Sequence, residues 1–437
     1  MTSLRVLVVG NSVAGPAFAS FLLLSSLRSR VKLTVLERAP HVRPEGQNID
    51  LRNVGLDAVR RLGLEESIRA HLTGEKGVRL VDENDSAVAS IAASEPGQTQ
   101  GPTADVEMLR GTLAQLLEAQ LERLNRQNSE KGGSPVEFIY DDFVDQLHQQ
   151  DDEVHITLAK SKAQRVFDIV VGADGLQSRT RRQAFGVEGE SERLHKLSIY
   201  GGFFSMPRLE SDTDWRRWFH APGSRGIMMR PSDRPDRITV FMHKKTSNMT
   251  EDKLFSNAAT GFRDAAAQKS ILVDCFSDIV WTQKDRVLSE LKRSEDFYYD
   301  MVAQVKMDTW SIGRVVLIGD SAHCTSPLSG MGTSLALAGA YHLAGALAVY
   351  PDDLSTALDM YEKSQRPLVM PAQNLPPAIG LIFDTSTPFW VWFTNRLAGT
   401  MAAVGPALKF FVSWVGPGQG QPPSLPDYGF DVPRRDS

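Results

Sequence analysis

Two cysteines, Cys275 and Cys324, are all that 437 residues contain. That excludes a disulfide framework and any cysteine-based zinc spacing, and it fits a reducing compartment, so a cytoplasmic enzyme is expected. Charge of either sign is not in excess: 48 basic residues face 53 acidic ones, a net charge of −5. No basic surface is expected for nucleic acid. Internal repeats and long low-complexity tracts are missing. No secretory leader is expected, because apolar β-type sequence starts at Leu4. Only one glycine-rich phosphate turn occurs, and a second is lacking. What remains is ordinary for a folded chain, 42% hydrophobic and 23% charged, long enough for two or three domains with large cores.

The most informative stretch is 4–38, LRVLVVGNSVAGPAFASFLLLSSLRSRVKLTVLER. A buried-type strand ends at Gly10; Asn11, Ser12, Val13, Ala14 and Gly15 turn into an apolar helix; a second strand ends at Glu37 and Arg38. This is a βαβ unit with a phosphate-binding turn. Gly10 permits the exit from the strand, and Gly15 lets the helix approach the sheet. The helix start presents free N–H groups to a pyrophosphate. Glu37 stands where an acid accepts from a ribose diol. Ser12 replaces the usual middle glycine. The alternative is a packing turn without a ligand.

Further on, leucines at 109, 113, 116, 117, 121 and 124 predict an amphipathic helix over 106–124. Arg110 lies in its first turn, where a cation opposes the helix dipole, so an anionic or polar partner is expected. Segments 136–140, 143–149 and 153–158 read as antiparallel strands. The apolar strand 167–172 runs into Asp174-Gly175 and then Arg179, Arg181 and Arg182, a pattern in which the acid takes hydroxyls and the arginines take phosphates. From 187 to 281 helical periodicity fades and aromatics rise, which predicts an inserted sheet over 195–206, 227–230 and 237–243. Tyr200, His220, Met228 and Phe241 are candidate substrate contacts on or beside it. A third block, Gly319-Asp320-Ser321-Ala322-His323, leads through Pro327, Gly330, Met331 and Gly332 to a long helix from Thr333. A second helix over 352–366 is expected to close at Pro367.

Three blocks in this order resemble the FAD-dependent monooxygenases of the p-hydroxybenzoate hydroxylase type, over about residues 4–366. One departure is Ser334, where the commoner pattern has Asn. The resemblance implies an α/β fold: a Rossmann-like FAD-binding domain with an inserted mixed β-sheet substrate domain and C-terminal helices. The expected parts are 1–186 (with hairpin 77–91 joining the substrate sheet) and 286–366 for FAD, 187–285 for substrate, and 367–437 as a helical region and tail. Implied cofactor contacts are Gly10, Ser12, Val13, Ala14, Gly15, Glu37 at the adenosine ribose, Arg38 over the adenine, Arg110, Asp174, Gly175, Gly319 and Asp320 at the ribityl chain or pyrophosphate. Pro327, Gly330, Met331, Gly332 and Thr333 would form the flavin edge, with Pro327, Gly330 and Gly332 closest to the chemistry. No acid or base is assigned: His323 reads as structural, and His220 and His243 are open as phenol bases or lining residues.

The implied activity is NAD(P)H-dependent reduction of FAD, then insertion of one oxygen atom from O2, through a flavin C4a-hydroperoxide, into an aromatic or polyketide-like small molecule of secondary metabolism. Oxidation of a tetracycline-type antibiotic, epoxidation of a prenyl chain, and a non-catalytic flavoprotein-fold binding module are the alternatives. No metal is expected, and the protein is a monomer or homodimer. The apolar stretch 397–416 leaves three readings: a helix docked on the core, one in a membrane interface, or one spanning a bilayer. Residues 416–437 read as a loose tail.

Overall fold

The computed structural model describes residues 3–44, 46–93, 106–260, 264–376, 380, 382–403 and 424–431. Its first sheet has six strands in the order Ser311–Ile312, Val315–Leu317, Ile169–Gly172, Leu4–Val9, Val31–Leu36, Glu137–Ile139. All neighbours pair parallel except the first two. The stretch Val6–Val9 of strand Leu4–Val9 is continuously apolar because both its faces are covered. Val6 and Val8 pack with Phe18 and Phe21 of helix Ala14–Leu24, whereas Leu7 and Val9 pack with Leu147 and Ile156 of a three-stranded sheet on the other side. The long helix Gly332–Val349 is apolar enough to cross a membrane by length and composition, yet most of it is buried against Ala14–Leu24 and Leu354–Gln373. It is a core helix.

The second sheet has seven strands: Tyr298–Val305, Leu194–Pro207, Arg237–Lys245, Arg225–Pro231, Arg216–Ala221, Gly77–Val81, Ala87–Ala92. The hairpin Gly77–Ala92 belongs to this sheet, and so does Tyr298–Val305, which lies within the 286–366 stretch assigned to FAD from the sequence. One face packs on helices Met249–Thr260, Ala265–Phe276 and Lys284–Arg293 through Met206, Ile227, Met242, Leu272 and Phe276.

The structure corrects several expectations. Residues 106–109 are a strand, paired antiparallel with Asn48–Leu51, and the helix runs Arg110–Glu130. Val106 and Met108 fit either period, and the waiting partner strand decides. Glu137–Ile139 joins the parallel sheet rather than an antiparallel one, because the chain returns to it by a helix crossover. Pro367 does not close its helix, which continues as Leu354–Gln373 with Pro367 and Pro371 inside. Tertiary contacts hold that last stretch: Val369 is buried, and Gln373 donates to the Val305 carbonyl. The tail is not loose over 424–431. Leu425 is buried, Phe430 stacks on Phe21 at 5.6 Å, and Tyr341 donates to the Pro426 carbonyl. Within the apolar stretch 397–416, helix Pro388–Ala403 covers the start, and 404–416 lies outside the described residues.

Candidate active site

A cavity of about 1530 Å³ runs from the first βαβ turn to the second sheet. Small-molecule pockets are usually about 300–1,000 Å³, so this one has room for a dinucleotide and a substrate together.

At the nucleotide end, Gly10 has φ +111°, and a Cβ there would lie 2.4 Å from the Ala173 carbonyl oxygen. A Cβ on Gly15 would lie 1.9 Å from the Gly10 oxygen. Both positions therefore need glycine for backbone approach. Ser12, Val13, Ala14, Glu37, Arg38 and Arg110 line the cavity with Gly10, whereas Gly15 and Gly319 lie behind it. Glu37 accepts from the Asn11 and Ala39 amides at 2.9 Å each, which fixes its carboxylate at the cavity wall. The polar partner expected for Arg110 is Ser12, whose hydroxyl accepts from Nη1 at 3.0 Å. The substitution in the turn and the arginine at the helix start are thus one feature.

The second block is used differently from its sequence pattern. Asp174 lines the cavity, but its carboxylate accepts from the Ser178 hydroxyl, the Arg179 and Thr180 amides and the Thr180 hydroxyl. It anchors the start of helix Arg179–Phe185. Arg181 is fully buried, paired with Glu190 and donating to the Leu176 and Ser321 carbonyls, so it serves packing and not a phosphate. Arg182 donates to the Gln177 carbonyl. Arg179 and Gly175 remain at the cavity, Arg179 over the Phe143 ring.

At the centre, Asp320 lines the cavity from deep in the molecule. Burial raises its pKa, against the Cys324 thiol hydrogen bond and the Arg110 charge, which lower it. Pro327–Ser329 forms one 3₁₀ turn between Ser326 (φ +77°) and left-handed Gly330 (φ +62°). The Ser326 and Ser329 hydroxyls accept from the Leu328 and Met331 amides. Helix Gly332–Val349 has no side-chain cap at its start, so its first amides and positive dipole end face the cavity, where Gly332 and Thr333 lie.

The far wall is built from three cross-strand rows. Directly opposed residues share a face, and the register places Tyr298, Phe203, Phe241, Met228, Trp218 and Leu80 side by side. All six line the cavity, with Phe203 and Phe241 stacked at 4.2 Å. Phe241 and Met228 are therefore at the site. Tyr200 is not: it sits an odd number of residues from Phe203 and faces the helices. It is fully buried, and its hydroxyl donates to Asp252 at 2.9 Å. The next row carries His243 and His220, separated by Gly226. His220 lines the cavity, and neither ring nitrogen has a hydrogen-bond partner. His243 accepts from the Trp218 indole at 3.1 Å.

The third row, Thr239, Arg230 and Arg216, was missed in the sequence. The strand Arg216–Ala221 shows no polar–apolar alternation, because Arg217 on its other face is itself buried, paired with Asp85 and Asp212. Arg216 and Arg230 line the cavity and share the buried carboxylates of Glu75 and Glu107. Burial raises Glu75, but Arg230 and Arg216 outweigh it and hold that carboxyl below its usual range; Glu107, with Glu75 and Asp50 nearby, is pushed up by burial. The guanidinium groups of this row thus border the cavity with the two carboxylates behind them.

A sequence profile described as "FAD binding domain" matches residues 3–298 and 293–374. The chain belongs to that FAD-binding family. It is 33% identical over 380 residues to the FAD-dependent monooxygenase asL6 of Sarocladium schorii, covering 86% of this chain and 87% of the relative. It is 32% identical over 377 residues to the monooxygenase CTB7 of Cercospora beticola, covering 85% of each. Among solved structures, tetracycline destructase Tet(51) superposes with a TM-score of 0.73 at 27% identity, covering 98% of this chain and 100% of that one. The protein is an FAD-dependent monooxygenase of the p-hydroxybenzoate hydroxylase type. The glycine approach at 10 and 15, the inward-facing Asp320 and the uncapped helix start all fit that cofactor.

The monooxygenase also carries a pH liability. Burial pushes His220, His323 and His342 down to about 4, and burial together with the neighbouring His220 puts His243 at about 3. Between about pH 6.5 and those values the unfolded chain binds protons that the folded one refuses, so stability falls as pH falls. Each imidazole adds up to about 1.4 kcal/mol per pH unit. The urea midpoint is expected to drop steeply from pH 6.5 to 4.5; a flat midpoint over that window would mean these rings are already charged in the fold.

Proposed function

We propose that this monooxygenase takes electrons from NAD(P)H and inserts one oxygen atom from O2 into an aromatic or polyketide-like molecule bearing an acidic hydroxyl. The observation that carries this reading is the wall of three rows, aromatic, imidazole and cationic, in the same cavity as the FAD turn and the 327–332 loop. Bound FAD supplies the electron transfer and oxygen activation that side chains lack.

The chain's own residues do the rest. Glu37, Arg38, Ser12 and Arg110 hold the adenosine and pyrophosphate end, and Asp320 takes a ribityl hydroxyl. The helix start at Gly332 and Thr333 stabilises negative charge at the flavin edge. Phe203, Phe241, Met228 and Trp218 clamp a flat substrate and keep water out. His220, neutral and with two unused nitrogens, accepts a hydrogen bond from a phenol or enol O–H, and Arg216 with Arg230 favours the deprotonated oxygen. Removing that proton makes the ring carbon electron-rich, which is what oxygen transfer requires.

Oxidation of a tetracycline is a narrower second reading, favoured by the likeness to Tet(51); its substrate is also a fused polyketide with acidic enols. The low cysteine count supports a cytoplasmic site of action, with Cys275 and Cys324 both free. The test is NADH and NADPH consumption by flavin-loaded enzyme across phenols, polyketides, prenylated aromatics and tetracyclines. The expected product is heavier by about 16 Da, one oxygen atom, and consumption is expected to rise with the acidic-hydroxyl members. Neither cofactor being consumed with any of them, or O-methylated analogues working equally well, would count against it.

A further inference from the structure

Helix Pro388–Ala403 exposes a run of large apolar side chains that the fold does not use. Phe389, Trp390, Trp392 and Phe393 are all exposed, Phe389 by 59% and Trp392 by 55%. A soluble surface does not ordinarily carry so many adjacent aromatics. The helix sits against strand Ala87–Ala92 at the end of the aromatic row, and Gly399 approaches the Val88 carbonyl. Its inner residues Thr394, Leu397 and Ala398 line the cavity. The exposed rings therefore belong to a helix that also borders the active-site cavity.

Charge decides what covers them. Between Asp384 and Asp427 the sequence has no acidic residue and two basic ones, Arg396 and Lys409, although the whole chain carries −5. Residues 404–416 continue the same composition, with Phe410, Phe411 and Trp414 beside Lys409. Tryptophan and phenylalanine with scattered cations are the composition of a helix lying in a lipid interface, where the rings sit at headgroup level and the cations meet anionic lipid. A second copy of the same surface would bring like charges together instead.

We propose that this helix docks on an anionic membrane surface, so that the cavity opens toward the bilayer and takes lipophilic substrate from it. The test uses full-length, flavin-loaded protein and sedimentation with phosphatidylcholine vesicles, with and without phosphatidylserine. Wild type is expected to sediment with the mixed vesicles, less with phosphatidylcholine alone, and less again at high salt. The Trp390→Ser/Trp392→Ser variant should bind at least about tenfold more weakly, given the apolar area removed, while keeping its flavin and its turnover of a water-soluble substrate. If that variant loses flavin, Arg396→Glu replaces it, with the same weakening expected on mixed vesicles. Wild type that stays in the supernatant, variants that bind like wild type, or a wild-type dimer that the double variant turns into a monomer would each overturn the proposal. Failure here leaves oxygen insertion untouched, because that is read from product mass.

Discussion

Replacing Arg230 with methionine should lower folding stability by about 3–5 kcal/mol, the usual cost of breaking a buried ion network from one side. Arg230 Nε donates to Glu75 at 2.9 Å, and Nη2 lies 2.6 Å from Glu107. Arg216 reaches Glu75 at 2.7 Å and Glu107 at 3.4 Å. The carboxylate side chains are 1% and 3% exposed. Asn48 adds a donor to Glu107 at 2.7 Å. Without Arg230, two carboxylates share one guanidinium. The urea midpoint should therefore fall at constant slope. Adding Glu107→Gln to Arg230→Met should restore part of the loss, because it removes the carboxylate left short of a partner. A loss under about 1 kcal/mol would place the network at the level of a surface pair. The same variant should also raise KM more for an acidic substrate than for its O-methyl analogue, since half of the cationic row is gone.

Asp320→Ala should weaken FAD binding by about 10- to 100-fold, the range for losing a hydrogen bond to a charged group. The carboxylate is open to the cavity, and the protein packed around it raises its pKa. The fold holds it at a cost. Folding of the flavin-free protein should accordingly be unchanged or slightly improved by the substitution. Affinity and apo-stability moving in opposite directions is the signature of a ligand-facing group. A purely structural acid would lose stability and leave flavin titration unaffected. Fluorescence titration with FAD and urea unfolding of the stripped protein read the two quantities separately. Unchanged flavin affinity would remove Asp320 from the cofactor site.

The nucleotide end was legible because its constraints are local. Gly10 and Gly15 are needed by backbone atoms within the same βαβ unit or on the strand beside it. Glu37 is fixed by the Ala39 amide two positions on and by the Asn11 amide in the turn of the same βαβ unit. The Asp174 block was legible as a place and misread as chemistry: the residues are at the cavity, but the acid is spent on the next helix and Arg181 on Glu190. A strand-end acid before a basic helix start has the same sequence whether it serves a ligand or a cap.

The substrate wall is the opposite case. Alternation within a strand says that Tyr200 and Phe203 face apart, but not which of them faces the cavity; that depends on which side the helices 249–293 cover. The rows themselves depend on register between strands separated by tens of residues. Likewise, the apolar pattern of 332–349 fits a membrane span or a core helix, and only its packing on Ala14–Leu24 makes it core. The sequence by itself determined the βαβ unit and the order of the three blocks, because short-range backbone sterics and residue type carry them; the chemistry came with the family those blocks resemble. Tertiary structure alone decided which face of the second sheet lines the cavity, that Ser12 pairs with Arg110, and that Arg216 and Arg230 share two buried carboxylates. Those depend on contacts between segments far apart in the chain, which no local pattern encodes.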